Sequence, residues 1–437
     1  MRSLATLRSE KGPTETIELQ LERLVPGGEA LGHLQGKAVF VAKALPGERV
    51  RARLIEEHSS YSRAELVDVL EPSPLRRSAP CPYFARCGGC DWQMLPYAEQ
   101  LEAKRKLLLE VLRRVGQLEY SGPLRVEAAG PEWAYRDRVQ LHRDRAGRIG
   151  FYGFRSHAIV EVETCPIAGP AVEQALRAVR QVLRPTGLTA GAIERIEIEA
   201  GDRGPACLTV RLRRGARLRR GQVEGLLKRL AARPEVGGVA LVGGPKLGQF
   251  SLQREIDGNV LQWSPGSFAQ ASGAGNRQLA ARAVELMAPL EGQEVLELHA
   301  GHGNFTLGIA RRAARVVAVE SGRAAEDARR NVEAARLANV DVLREDAGTA
   351  LSRLLASDQH FDCVLLDPPR EGARTLIDPL CRLGAAKILY VACEASALAR
   401  DLRGLIDRGY RLIGLDLLDL FPQTAHFETL AVLERTR

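Results

Sequence analysis

From about residue 14 to 73 apolar and polar side chains alternate with a period of two. The runs are Thr16-Ile-Glu-Leu-Gln-Leu-Glu22, Ala38-Val-Phe-Val-Ala42, Glu48 to Ile55 and Ala64 to Leu70, separated by turns at Pro26-Gly-Gly28 and Pro46-Gly47. Alternation broken by Gly and Pro predicts a small antiparallel barrel, ended by Pro72-Ser-Pro74. A Leu- and Lys/Arg-rich helix is expected from about Pro96 to Val115, followed by short strands and helices to about 262, among them Ile196–Glu199 and Gly238–Val242. From about 280 the period changes. Glu294–Leu298, Arg315–Val319, Phe361–Leu366 and Lys387–Val391 are short apolar strands with helical patterns between them. That pattern predicts an open parallel α/β sheet with its ligand crevice at the strand C-termini. No apolar run approaches the ~20 residues that span a bilayer. The start, Met1 to Glu10, lacks a secretory core and is read as a loose leader on a cytoplasmic protein.

The barrel stretch resembles a TRAM domain, a small β-barrel seen on RNA-modifying enzymes. Charge points the same way. Lys and Arg total 62 against 54 acids, a net charge of +8, with Arg concentrated at Arg76-Arg77 and between Arg211 and Arg220. A basic excess favours a polyanionic partner, because neutralising phosphates releases counterions. Eight cysteines in 437 residues do not make a disulfide scaffold. Three of them, however, fall in the pattern Cys81-x5-Cys87-x2-Cys90, and Cys165 could add a fourth. Sulfur-only ligation suits zinc or an iron–sulfur cluster, and the spacing alone leaves both open. Cys207, Cys363 and Cys381 match no pattern and are expected to be inert.

Strand Glu294–Leu298 runs into Gly301-His-Gly303 and a helix expected near Phe305. A dinucleotide fingerprint would carry a third glycine; here Asn304 and Thr306 follow instead. An uncharged, Asn-bearing turn suits the zwitterionic methionine end of S-adenosylmethionine better than a diphosphate. Glu320 closes the next strand, where a carboxylate can accept from both ribose hydroxyls, and Asp346 could meet the adenine amine.

The fourth strand ends in Leu366-Asp-Pro-Pro-Arg-Glu-Gly372. Enzymes that methylate exocyclic amines place an aromatic after the two prolines to stack on the base; Arg370 stands there and argues against that chemistry. Cys393 follows the next strand, at the crevice. A thiol beside a methyl donor has a clear use. Uracil C5 is too weakly nucleophilic to attack a sulfonium methyl. Thiolate addition at C6 gives an enolate whose C5 is nucleophilic, and a base must then remove the C5 proton so that the cysteine can leave. Glu428, in Phe421-Pro-Gln-Thr-Ala-His-Phe-Glu428, is the candidate base and His426 its rival. Phe268 is the nominee for packing near a base flipped out of its stack.

Over about residues 14–435 the chain resembles the RNA uracil-C5 methyltransferases, in particular their ribosomal RNA members with a TRAM domain and an iron–sulfur cluster. The resemblance is carried by the four cysteines, Phe268-Ala-Gln270, Gly301-His-Gly-Asn-Phe-Thr306, Asp367-Pro-Pro-Arg370, Tyr390-Val-Ala-Cys393, Leu398-Ala-Arg-Asp401 and Phe421 to Glu428. It implies Cys393 as nucleophile and Glu428 as base. It places Gln270, His299, Asn304, Glu320, Asp346 and Asp367 on S-adenosylmethionine, and a 4Fe–4S cluster on Cys81, Cys87, Cys90 and Cys165. The chain departs from the family at His299-Ala300, Glu394-Ala395, Gln423 and Ser272.

The expected organisation is a TRAM-like barrel over 14–73, a central α+β domain with the cysteine cluster over 74–95 and 124–264, and a Rossmann-like S-adenosylmethionine-dependent methyltransferase domain over 96–123 and 265–437. RNA is the expected partner, ribosomal before transfer RNA, with the protein a monomer away from membranes. A transfer RNA uridine methyltransferase and a catalytically degenerate RNA-binding or ribosome-assembly protein remain as alternatives. A radical enzyme would carry C-x3-C-x2-C, which is not matched.

Overall fold

The computed structural model describes residues 16–183, 191–216 and 218–436. The leader, residues 14 and 15 of the expected barrel, and residue 217 of the Arg-rich stretch lie outside these. Internal contacts divide the chain into two units. The first holds the residues up to Pro80 with Cys90–Ala103 and Gln423–Ala425; the second holds Cys81–Gly89, Lys104–Pro422 and the residues from His426.

In the first unit, five strands (Thr16–Leu24, Ala30–Leu34, Lys37–Val41, Arg49–Glu57 and Tyr61–Glu71) close into a barrel, not wholly antiparallel as expected, because Lys37–Val41 and Tyr61–Glu71 pair parallel. The expected alternation is the cause: Ile17, Leu19 and Leu21 point inward with Val39, Val41, Val50, Ala52 and Ala64, while the intervening polar side chains face out. Sequence reading omitted Ala30–Leu34, a Gly-containing strand too short to show a period. Arg49 and Arg51 lie on the outside, both paired to Glu18.

The second unit contains two large sheets. One has seven strands in the order Lys246–Gly248, Val236–Leu241, Ala206–Leu212, Ile193–Glu199, Arg138–Arg143, Ile149–Tyr152, Ile159–Val160. Its apolar face packs on helices Pro170–Leu183 and Arg220–Ala231 through Leu141, Ile196, Leu208, Val210, Leu176 and Leu227.

The other sheet has eight strands. Val340–Leu343, Arg315–Val319, Glu294–Leu298, Cys363–Leu366 and Lys387–Ala392 are mutually parallel. Glu428–Arg435 pairs antiparallel with Lys387–Ala392, Tyr410–Asp419 follows, and Leu124–Ala128 forms the edge. The sheet is therefore mixed, where the sequence predicted a parallel one. The last two strands are joined by a hairpin, which reverses direction without a crossover helix. Strands buried on both faces need near-continuous apolar runs, and Val295–Leu298, Val316–Val319 and Cys363–Leu366 supply them.

Inside this unit Lys104, on helix Tyr97–Val115, donates to Asp419 Oδ1 at 2.7 Å, and neither side chain reaches solvent. Removing one partner of a buried pair strands the other charge. Lys104→Ala is accordingly expected to cost about 3–5 kcal/mol of stability. Denaturant unfolding checks this, and a loss below ~1 kcal/mol would contradict it.

Candidate active site

The parallel strands end at one edge of the sheet, and their C-terminal residues build the site. After Glu294–Leu298 the backbone turns sharply, with positive φ at His299 (62°), Gly301 (58°) and Gly303 (94°). Two of these are glycine; His299 adopts a region in which a β-carbon is disfavoured, and the turn is pinned from outside. Glu320 accepts from the backbone N–H of Gly301 at 3.0 Å and of Gly322 at 2.7 Å. Each carboxylate oxygen is held and keeps a further lone pair. Asp346 caps helix Ala347–Ala356, accepting from Gly348 and Thr349 N–H. The strand order makes the ends carrying His299, Glu320 and Asp346 adjacent. The His299 imidazole senses both carboxylates, yet burial outweighs them and holds it below the ordinary histidine range.

Asn304 exchanges two hydrogen bonds with Asn276, at 2.7 and 3.0 Å, a reciprocal amide pair. Asn276 lies on helix Gly273–Met287, whose N-cap is Ser272. Gln270 is buried just before that cap. Sequence reasoning missed Asn276, whose only signal was an amide at the buried face of the helix following the Phe268-Ala-Gln270 motif. It also missed Glu297. That carboxyl is fully buried, accepts from Thr306 Oγ1 at 2.6 Å, and leaves Oε1 without a partner among the described residues. Burial, opposed by the Thr306 bond and reinforced by Asp367 and Glu320, pushes it up to about 8.

The acidic groups continue into the reacting centre. Burial pushes Asp367, at the end of Cys363–Leu366, up to about 7. Cys393 directly follows Lys387–Ala392 and is partly exposed. Its thiol is pushed up to about 11, first by burial and then by the charges of Glu428 and Asp367, with Arg370 opposing. Glu428, the first residue of its strand, is buried and lies well above the carboxylate range, from burial and Asp367, again opposed by Arg370. Its Oε2 has no partner among the described residues. Cys393, Glu428, Asp367 and Arg370 thus lie within electrostatic reach of one another, brought together by adjacent strands. His426 is pushed down to about 4, first by burial and then by Arg370, Lys104 and Arg136. A group that sheds its proton so readily is a poor base, whereas a carboxylate raised by burial is a better one.

The loop bearing Arg370 is anchored from behind. Asp401 Oδ2 accepts from Ala373 N–H at 2.6 Å and from the Tyr390 hydroxyl at 2.8 Å, and Arg400 spans Asp401 and the Glu371 carbonyl. Because Arg370 is the cation that opposes the rise of the thiol, Arg370→Ala is expected to lift Cys393 above its present value. Thiolate increases with pH, so the alkylation profile should move to higher pH. Iodoacetamide labelling of the Cys393 peptide at pH 8 should slow by roughly three- to tenfold, a shift of one unit or less. An unchanged rate would contradict this role.

The departure at Gln423 has a local explanation in the first unit: its buried Oε1 accepts from Gln100 Nε2, its backbone N–H donates to Gln100 Oε1, and its backbone carbonyl accepts from Asp91 and Trp92 N–H. Cys81, Cys87 and Cys165 belong to the second unit and Cys90 to the first. The Cys165 thiol is pushed up to about 11 by burial and, in part, by its neighbour Cys87. Among the described residues no group of three or more His, Cys, Asp or Glu is gathered in ligating geometry. Cys207 and Cys363 are buried, each pushed up to about 11 mainly by burial.

A parallel strand–turn–helix sheet with a glycine turn after its first strand and a carboxylate closing the second is the architecture of S-adenosylmethionine-dependent methyltransferases. The chain belongs to the RNA uracil-C5 methyltransferase family. Residues 254–436 match the family described as tRNA (Uracil-5-)-methyltransferase, and residues 11–67 match the TRAM domain. Over 96% of its length the chain is 34% identical to the 23S rRNA (uracil(1939)-C(5))-methyltransferase RlmD of Vibrio parahaemolyticus, covering 96% of that protein. The enzyme of that name from Pseudomonas entomophila is 35% identical, over 95% of this chain and 93% of its own. In fold the chain is similar to the Pyrococcus abyssi tRNA (uracil-54, C5)-methyltransferase solved with S-adenosyl-L-homocysteine, with TM-score 0.73, 23% identity, and coverage of 95% and 99% of the two chains. The enzyme is thus an S-adenosylmethionine-dependent RNA uracil-C5 methyltransferase, as its motifs predicted. Among the described residues no helix is long and apolar enough to cross a membrane.

Proposed function

We propose that this enzyme methylates C5 of a uridine in 23S ribosomal RNA through a transient bond between Cys393 Sγ and C6 of the ring. The observation that carries this reading is the shared electrostatic environment of Cys393, Glu428 and Asp367 at adjacent strand ends. Sulfur adds to C6, the C5=C6 electrons shift into the C4 carbonyl, and C5 takes the methyl as the donor's C–S bond breaks. Glu428, as carboxylate, then removes the C5 proton while the Cys393–C6 bond breaks and thiolate is expelled. Burial raises both groups above their usual ranges, so Cys393 must give up its proton to solvent before attack and Glu428 must be ionised when it takes the C5 proton. A positively charged sulfonium beside Asp367 favours that loss, since an added cation lowers every nearby pKa.

Gln270, His299, Asn304, Glu320, Asp346 and Asp367 are the proposed donor contacts, with Asn276 holding Asn304. The ribosomal RNA target is supported by the names of the relatives that match nearly end to end. We assign RNA contacts to the barrel and the seven-stranded sheet, and take the protein as a cytoplasmic monomer. The resemblance to cluster-bearing members of the family is what supports a 4Fe–4S cluster on the Cys81, Cys87, Cys90 and Cys165 sulfurs, since thiol ligands alone suit zinc equally. Such a cluster would be structural or serve RNA docking; methyl transfer moves no net electrons and needs none from it. The test is mass-spectrometric mapping of 5-methyluridine in ribosomal and transfer RNA from cells with and without the active protein. One 23S position should lose its methyl group. Loss confined to transfer RNA would overturn the assignment.

A further inference from the structure

Among the described residues, helices Pro170–Leu183 and Arg220–Ala231 cover one face of the seven-stranded sheet. On the other face, register places Arg195 opposite both His142 and Arg211, and Glu197 opposite Gln140 and Thr209. One end of this polar face is covered, where Trp263 Nε1 donates to Glu199 Oε1 at 2.7 Å and Gly266 N–H to Oε2. The remainder is a cleft of about 710 Å³.

Six cations line the cleft (Arg138, Arg195, Arg211, Lys246, Arg323 and Arg330) against three acids. The acids are already engaged. Glu197 takes Arg138 and Arg195, Asp327 takes Arg330, and Glu326 takes Arg344. That leaves Arg211, Lys246 and Arg323 without an acidic partner among the described residues, and Arg211 Nε is buried with no hydrogen-bond acceptor. An unsatisfied guanidinium lining a concave surface is costly unless an anion completes it. Beside Arg195, the His142 ring stacks on Tyr152 with centroids 3.7 Å apart. The covered end supplies Ser267, and the next residue, Phe268, is 67% exposed. The Phe268 backbone is hydrogen-bonded to the His302 ring of the glycine turn. Ser267 thus marks the end of the cleft from which the chain runs on into Phe268-Ala-Gln270.

We infer that this sheet face is the track for a single-stranded segment of the substrate RNA, with phosphates on Arg211, Lys246 and Arg323 and a base against the His142–Tyr152 stack. A helix-backed sheet with stacking rings and cations free of acidic partners is a general solution for unpaired RNA, whose bases are free to stack. The inference rests on the reading of the protein as an RNA methyltransferase and adds the path of the strand.

The test compares wild type, a triple variant Arg211→Ala/Lys246→Ala/Arg323→Ala, Tyr152→Ala, and a control Lys228→Ala/Arg229→Ala on the opposite, helical side. Methylation kinetics on ribosomal RNA are paired with fluorescence anisotropy on a labelled single-stranded RNA, and thermal melting verifies folding. The triple variant should raise KM roughly tenfold or more with kcat nearly unchanged. It should also flatten the log K against log salt slope by about 2, from three lost phosphates. Tyr152→Ala should weaken binding with the slope intact, and the control should match wild type. A folded triple variant with wild-type KM and slope overturns the track, as does a control that weakens binding equally. A wild-type enzyme that methylates no RNA instead refutes the functional reading itself.

Discussion

Replacing Cys393 with alanine is expected to abolish methyl transfer, lowering kcat by roughly 10⁴-fold or more, while RNA affinity stays within a few-fold of wild type. The size of the loss follows from the chemistry. Without sulfur at C6 there is no enolate, and C5 has no lone pair to offer. Affinity survives because the side chain is small and sits at a strand end rather than on a cationic surface. The thiol is pushed up to about 11, so wild-type turnover should climb with pH until another group fails. Single-turnover transfer of labelled methyl groups, alongside RNA binding, reads both quantities. A variant that retains methylation at even a hundredth of the wild-type rate would remove the covalent route.

Glu428→Gln is expected to stop the reaction later. The amide is isosteric, so attack and methyl transfer proceed, but it accepts no proton. Without removal of the C5 hydrogen the sulfur cannot be expelled, and enzyme should accumulate as a covalent, methylated RNA complex. Turnover should fall by roughly 10²–10⁴-fold, the usual span for loss of a general base. Denaturing electrophoresis should reveal a retarded protein–RNA band absent from wild type. If no band forms, the base lies elsewhere, and His426, packed edge-on to Phe421 at 6.4 Å, becomes the candidate despite its low proton affinity.

Much of this was legible in the sequence because it depended on local pattern. The barrel strands follow from alternation of Ile17, Leu19 and Leu21 with polar neighbours, and the parallel strands from unbroken runs such as Val316–Val319. The glycine turn and the position of Cys393 after a strand were readable for the same reason. Four features were not, because they arise only in the folded chain. The reversal depends on the last hairpin carrying Glu428–Arg435 back past its own neighbour to pair with Lys387–Ala392. The Asn276–Asn304 pair joins two elements with no sequence signature linking them. Glu297 reads as one polar residue in an apolar strand, and only the folded sheet shows its carboxyl enclosed beside Thr306. The polar sheet face was hidden likewise. Arg195 and Arg211 become neighbours through register alone.

The covalent step is open to one direct measurement. Nuclease and protease digestion of the Glu428→Gln complex, followed by tandem mass spectrometry, identifies the amino acid joined to RNA and the mass it carries. A single cross-linked peptide is expected, with Cys393 bearing a uridine heavier by one methyl group. Attachment through any other residue, or to a uridine lacking the methyl, would contradict the role assigned to this cysteine.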